Sequence, residues 1–216
     1  MGADSFVEKL ASLAFKNTFN PYSDCCEVYD VNDAPQRRSA LLKKMLMAAC
    51  DVKVDSIWIG RDLGYRGGRR TGLALTDDVH LPHHAARWGV EGDRLTKGQV
   101  VPERTAAVIW SVLDQIKSPI FLWNVFPLHP FEAGAPFSNR AHNTKERLAG
   151  EELLTELVEL LRPKRIVAIG NDADNAAKRF HGQYEVFKVR HPSYGGKNIF
   201  MEQVKTLYNN NTPLWI

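Results

Sequence analysis

Val54-Asp55-Ser56-Ile57-Trp58-Ile59-Gly60-Arg61-Asp62-Leu63-Gly64 decides the fold, because a run rich in β-branched and aromatic residues, Val54 to Ile59, breaks on a glycine and gives way at once to charge. Such a run reads as a buried strand that ends in a turn. Three more runs of the same kind follow, at Pro119 to Phe126, Arg165 to Ile169 and Tyr184 to Val189. Helical stretches lie around them, at Ser5 to Phe15, Ser39 to Ala49, Glu103 to Ile116, Thr144 to Leu161, Asp172 to Phe180 and Lys197 to Tyr208. The fourth is the clearest: Asn143 stands three residues before Glu146 as a capping pair, Leu153, Leu154, Leu157, Val158 and Leu161 recur on one face, and Pro163 stops it. Parallel crossovers need helices and bury both faces of the sheet, so strands that alternate with helices and read as continuous apolar runs imply parallel pairing. The expected fold is α/β, a three-layer α/β/α sandwich around a central, mostly parallel four-stranded sheet.

Working outward, 216 residues with 44% hydrophobic and 25% charged side chains suit one packed unit and exclude disordered or collagen-like chains. A single domain over 1–216 is expected, with 1–50 as a helical N-terminal segment packed on it. A formal net charge of +3 permits an anionic partner without requiring one. Three cysteines, two of them adjacent at Cys25 and Cys26, make no disulfide framework and fall one short of a four-thiolate metal or iron–sulfur site. The opening MGADSFVEKLASLAF lacks a basic n-region, Phe6 stands where a myristoylation signal needs Ser or Thr, and no run approaches a membrane span. A soluble, cytoplasmic, monomeric chain with no membrane partner is expected.

In open parallel sheets the ligand lies beyond the carboxyl ends of the strands. The residues that follow the four runs are Gly60 to Asp78, Asn124 with Pro127 to Pro130, Gly170 with Asn171, and Arg190 to Lys197. A carboxylate, a carboxamide and an imidazole brought there by separate strands, Asp62, Asn124 and His191, form a catalytic set. Taken singly, each also has a plain reading: Asp62 as a turn-former, Asn124 as a strand end satisfying local backbone, His191 as the extended residue before Pro192. Gly60, Gly64, Gly67, Gly68 and Gly72 alternate with Arg61, Arg66, Arg69 and Arg70, a composition that suits either phosphate or a solvated loop. Arg66, Arg69, Arg70 and Lys197 are the candidate phosphate contacts, because they flank both motif loops. No Walker lysine motif and no G-x-G-x-x-G opening onto a helix occurs, so no nucleotide cofactor is expected. His80, His83 and His84 are too softly spaced for a metal site and read as a solvated loop, while Trp58 and Trp123 read as core. His129 reads either as lining the rim or as a loop histidine bonded to backbone.

From Val54 to Phe200 the chain resembles the uracil-DNA glycosylase superfamily. Gly60-Arg61-Asp62-Leu63-Gly64 is similar to the family's strand-end turn, His191-Pro192-Ser193 to its His-Pro-Ser loop, Pro136-Phe137-Ser138-Asn139-Arg140 to its Pro-x-x-Asn-Arg segment, and Lys164 to Ala173 to its penultimate strand and glycine turn. The resemblance implies that Asp62 and His191 are catalytic. It implies further that Asn124 reads the base edge, that Gly60, Arg61, Leu63, Gly64 and Leu75 surround the base, and that Pro192 and Ser193 approach the minor groove. Three positions depart from the family pattern: Leu63 replaces a proline, Arg61 a Gln or Glu, and Leu75 the phenylalanine that stacks on the base. Gly64 lies where the strictly uracil-selective branch carries a tyrosine. The implied function is a cofactor-free DNA glycosylase of base excision repair, acting on DNA that contains uracil or a related deaminated base. The alternatives are a non-catalytic DNA- or nucleotide-binding member of the fold and a hydrolase of small nucleosides or nucleotides.

Overall fold

The computed structural model describes residues 2–209; residue 1 and residues 210–216, over which the expected single domain also runs, lie outside the described residues. The elements in chain order are α1 (Ala3–Ser12), β1 (Thr18–Phe19), α2 (Ala34–Cys50), β2 (Ser56–Asp62), α3 (Gly68–Thr71), α4 (Leu81–Ala86), α5 (Arg104–Leu113), β3 (Ile120–Phe126), β4 (His129–Pro130), α6 (Thr144–Leu161), β5 (Arg165–Ile169), α7 (Asn171–Ala177) with a 3-10 turn at Lys178–Phe180, β6 (Glu185–Val189) and α8 (Lys197–Asn209).

The four apolar runs form one sheet in the order β3-β2-β5-β6, and every pairing is parallel. Side chains on a strand alternate between faces, and the core divides accordingly. Ile57, Ile59, Phe121, Trp123, Val125, Ile166 and Ala168 pack with α1, α2, α6 and α7. Trp58, Ile120, Leu122, Val167 and Ile169 pack with α5 and α8. Each such Leu, Ile or Phe contributes roughly 1.5–3 kcal/mol by leaving water. Trp58 and Trp123 are core residues, as the sequence implies.

Helix α6 starts where its cap predicts: the Asn143 Oδ1 accepts from the N–H groups of Lys145 (2.9 Å) and Glu146 (3.1 Å), and Glu146 Oε2 accepts from the Asn143 N–H (2.7 Å). Helix α2 begins at Ala34, five residues before the expected start, because Pro35 fits a first helical turn, where a missing N–H costs nothing. Two features went unread: the two-residue antiparallel ribbon β1–β4, and the short helices α3 and α4 inside the stretch 61–102.

The chain leaves β2 for one neighbour, β3, and returns from β3 to the other, β5. The carboxyl ends of β2 and β5 therefore flank a topological switch point, the position at which open α/β sheets bind ligands.

Candidate active site

Gly60 on β2 lies in register with Asn124 on β3. A Cβ built on Gly60 would stand 2.5 Å from Asn124 Oδ1 and 3.1 Å from Leu75 Cδ2, so the glycine makes room for the carboxamide. Asn124 is 1% exposed, and neither its Oδ1 nor its Nδ2 has a hydrogen-bond partner. A buried polar group left unpaired costs about 1–3 kcal/mol. A carboxamide can satisfy donor and acceptor together on a partner that presents both.

Leu75 overlies this point in a left-handed conformation, φ 54°, and its carbonyl accepts from Trp110 Nε1 at 3.1 Å. Bulky residues rarely adopt that backbone, so the indole bond fixes a strained residue beside Asn124. Leu63 is buried, its N–H donated to the Leu128 carbonyl (3.2 Å) and its side chain packed on Gly68, which has no Cβ to obstruct it. Gly64 borders open space, and nothing would contact a Cβ there within 4 Å.

Asp62 stands two residues beyond Gly60 on β2, its side chain 6% exposed. Arg61 Nε donates to Asp62 Oδ2 at 2.8 Å, and His142 Nδ1 bonds Asp62 Oδ1. The same Arg61 reaches Asp172 at 3.5 Å, at the start of α7. This ties the β2 terminus to the β5 terminus.

Beyond β5, Gly170 has φ 88°, and its missing Cβ leaves space for the His191 Cβ, which would lie 3.3 Å away. Burial, reinforced by the positive charges of Arg61 and Arg190 and opposed by Asp172, holds the His191 imidazole below its ordinary value of 6.5. His191 Nδ1 accepts from the Ser193 N–H at 3.2 Å, so in the neutral ring the proton sits on Nε2. The rim thus carries a carboxylate, an unpaired carboxamide and a neutral imidazole that can donate. Pro192 is buried, whereas Tyr194 is 98% exposed at φ 52°. Lys197 and Arg66 are exposed, and Arg66 Nε donates to the Tyr65 hydroxyl at 3.0 Å.

Arg69 and Arg70 correct the expectation of a phosphate-binding loop. Arg69 is 4% exposed: its Nε donates to the Tyr29 hydroxyl (2.8 Å), one terminal nitrogen donates to His129 Nδ1 (3.0 Å), and its guanidinium lies 3.8 Å from the Phe19 ring centroid. Arg70 pairs with buried Asp78 (2.7 Å) over the Tyr29 ring. Both arginines face the interior because acidic and aromatic partners from other segments meet them there. His129 Nε2 donates to the Ser138 carbonyl at 2.8 Å, and burial together with Arg69 lowers its pKa to about 4. His129 is thus part of the framework.

The three histidines after Asp78 are likewise not a solvated loop. His80, His83 and His84 gather around Trp110 with centroids 5.2–5.7 Å away, and His84 is buried against Thr76, with burial driving its pKa down to about 3. Among the described residues no group of three His, Cys, Asp or Glu is placed to hold a metal ion, and no helix is long and apolar enough to cross a membrane.

His142 is the site residue that sequence reasoning missed. Its one signal is position, directly after the Pro-x-x-Asn-Arg segment and before the α6 cap.

A family model described as the uracil DNA glycosylase superfamily matches residues 47–210. Among solved structures, the chain is similar to wild-type SMUG2 of Pedobacter heparinus, with a TM-score of 0.60 and 14% identity over 97% of this chain and 98% of that one, a likeness of fold. No curated protein matches. With the matched region covering most of the sequence and the same α/β topology beneath the rim, the chain belongs to the uracil DNA glycosylase superfamily.

Proposed function

We propose that the protein is a DNA glycosylase that hydrolyses the N-glycosidic bond of uracil or a related deaminated base in DNA, without a cofactor. The observation that carries this reading is Asn124, a fully buried carboxamide with no partner, on the same sheet rim as the carboxylate of Asp62 and the imidazole of His191. A pyrimidine edge, which offers an acceptor beside a donor, supplies the bonds it lacks. As the C1′–N bond breaks, positive charge develops on the sugar and negative charge on the base. Asp62 stabilises the first and orients the attacking water. His191 donates its Nε2–H to the departing base, and its depressed pKa keeps it a neutral donor at pH 7. Water adds its oxygen to C1′ and loses a proton, and the base leaves as an anion that is then protonated. Duplex DNA would meet the rim at Tyr194, Lys197 and Arg66, all exposed.

Leu75 favours a second reading, a member that binds DNA without turnover. An aliphatic side chain beside Asn124 forgoes base stacking worth roughly 1–3 kcal/mol per base. One assay separates the two. Labelled duplexes carrying uracil, hypoxanthine, xanthine or thymine opposite guanine are incubated with the protein and treated with alkali. Strand cleavage at one of these bases is expected; tight binding with no cleavage at any of them would favour the second reading, and cleavage of free nucleosides alone would overturn both.

A further inference from the structure

Asp62 is gripped from two sides by residues of different origin. Arg61 holds Oδ2 at 2.8 Å, but its side chain is nearly half exposed and shared with Asp172. An exposed, divided ion pair fixes geometry weakly. On Oδ1 sits His142, 9% exposed, with the Phe126 ring 6.2 Å away edge to face.

The backbone on either side of His142 is braced by one buried carboxylate. Arg140 donates to both oxygens of Glu146 (2.6 and 2.7 Å), and Asn143 gives Glu146 its backbone N–H while capping α6 with its side chain. Arg140 also donates to the carbonyls of Asn17 (3.1 Å) and Phe131 (3.0 Å). An imidazole between two such anchors is a fixed point. A carboxylate has about four acceptor positions. The two holders occupy one on each oxygen, leaving a position on each for the attacking water and the sugar face.

We propose that His142 is a positioning residue for the glycosidic step, an imidazole that sets the plane of the Asp62 carboxylate from the opposite side to Arg61. This rests on the reading of Asp62 as the group that meets water and sugar. Holding a reacting group in its productive geometry accelerates the chemical step without strengthening substrate binding.

The test uses the full chain and three variants. His142→Phe keeps a ring against Phe126 and removes the donor; His142→Asn keeps an N–H near the place of Nδ1; Asp62→Asn removes the acceptor charge. On a duplex with uracil opposite guanine, kcat of His142→Phe is expected to fall about 10–100-fold with KM unchanged in conditions that keep the variant folded, and His142→Asn is expected to recover most of that loss. Wild-type kcat in His142→Phe, or an equal loss in His142→Asn, would overturn the proposal. A readout independent of turnover accompanies this. In side-chain 1H–15N spectra the His142 Nδ1–H should appear far downfield and vanish in Asp62→Asn; its absence from wild type, or its persistence in the variant, would also overturn the proposal. A wild-type protein inactive on every deaminated base yet showing that resonance would sink the glycosylase reading while leaving the His142–Asp62 hold standing.

Discussion

The loop after β2 and the loop after β6 have similar compositions, glycine and basic residues around a strand end, and fold to opposite purposes. In the first, Arg69 and Arg70 turn inward onto Tyr29, His129, Phe19 and Asp78, all supplied by the protein. The second places His191 on the rim, Tyr194 almost wholly in solvent and Lys197 exposed. A basic residue is available to a phosphate only where the fold has not already given it partners. Composition names the donors, and the partners decide which way they face.

The contrast can be broken most severely at the first loop. Arg70→Ala leaves Asp78 buried and uncompensated, which should cost about 3–5 kcal/mol of stability. Chemical denaturation would read the loss, while the salt dependence of DNA binding in conditions that keep the variant folded should match wild type. A lowered salt slope would return Arg70 to the DNA interface. At the second loop, His191→Ala should leave the melting temperature in place and reduce kcat by about 10²–10⁴-fold, the usual contribution of a positioned proton donor. Unchanged turnover would remove the imidazole from the chemistry.

Acid should weaken the framework around the first loop. His84 and His129 have pKa values of about 3 and about 4, below their unfolded value of 6.5, so the unfolded chain takes up protons that the folded one refuses. Stability is therefore fully present above pH 6.5 and falls as pH drops towards 4, by up to about 1.4 kcal/mol per pH unit for each histidine. Urea denaturation across that range measures the slope, and His129→Asn should shrink it. Smaller still, Tyr194→Ala should weaken duplex binding by roughly 1–3 kcal/mol if the ring stacks on a base. Lys197→Ala should lower the log–log salt slope by about one unit, as the loss of a single phosphate contact does.

The parts of the molecule that depend on a residue's own neighbours in sequence were legible. The strands β2, β3 and β5, buried on both faces, write themselves as apolar runs, whereas β6, also expected to be buried, lies at the sheet edge with only Val189 buried; α6 announces its start through Asn143 and Glu146. That Asp62, Asn124 and His191 would lie on the rim was legible because each stands in or just after an apolar run of the sheet. Contacts between distant segments were not legible. Tyr29 reaches Arg69 across 40 positions and His142 reaches Asp62 across 80, and neither spacing leaves a local pattern. The histidines of α4 misled for the same reason, since only the fold brings Trp110 beneath them.

The wrapping of α3 by the N-terminal segment bears on where this molecule can be cut. Tyr22 bonds the carbonyl of Gly72, and Arg38, itself paired with Asp30, bonds that of Arg70. All of these partners precede residue 47, where the family match begins. A fragment trimmed to the matched stretch would strip Phe19 and Tyr29 from Arg69 and Arg70 and leave the two guanidinium groups with His129 and Asp78 alone among the partners named above. The stretch matched by the family model is thus shorter than the stretch that packs around the β2 loop.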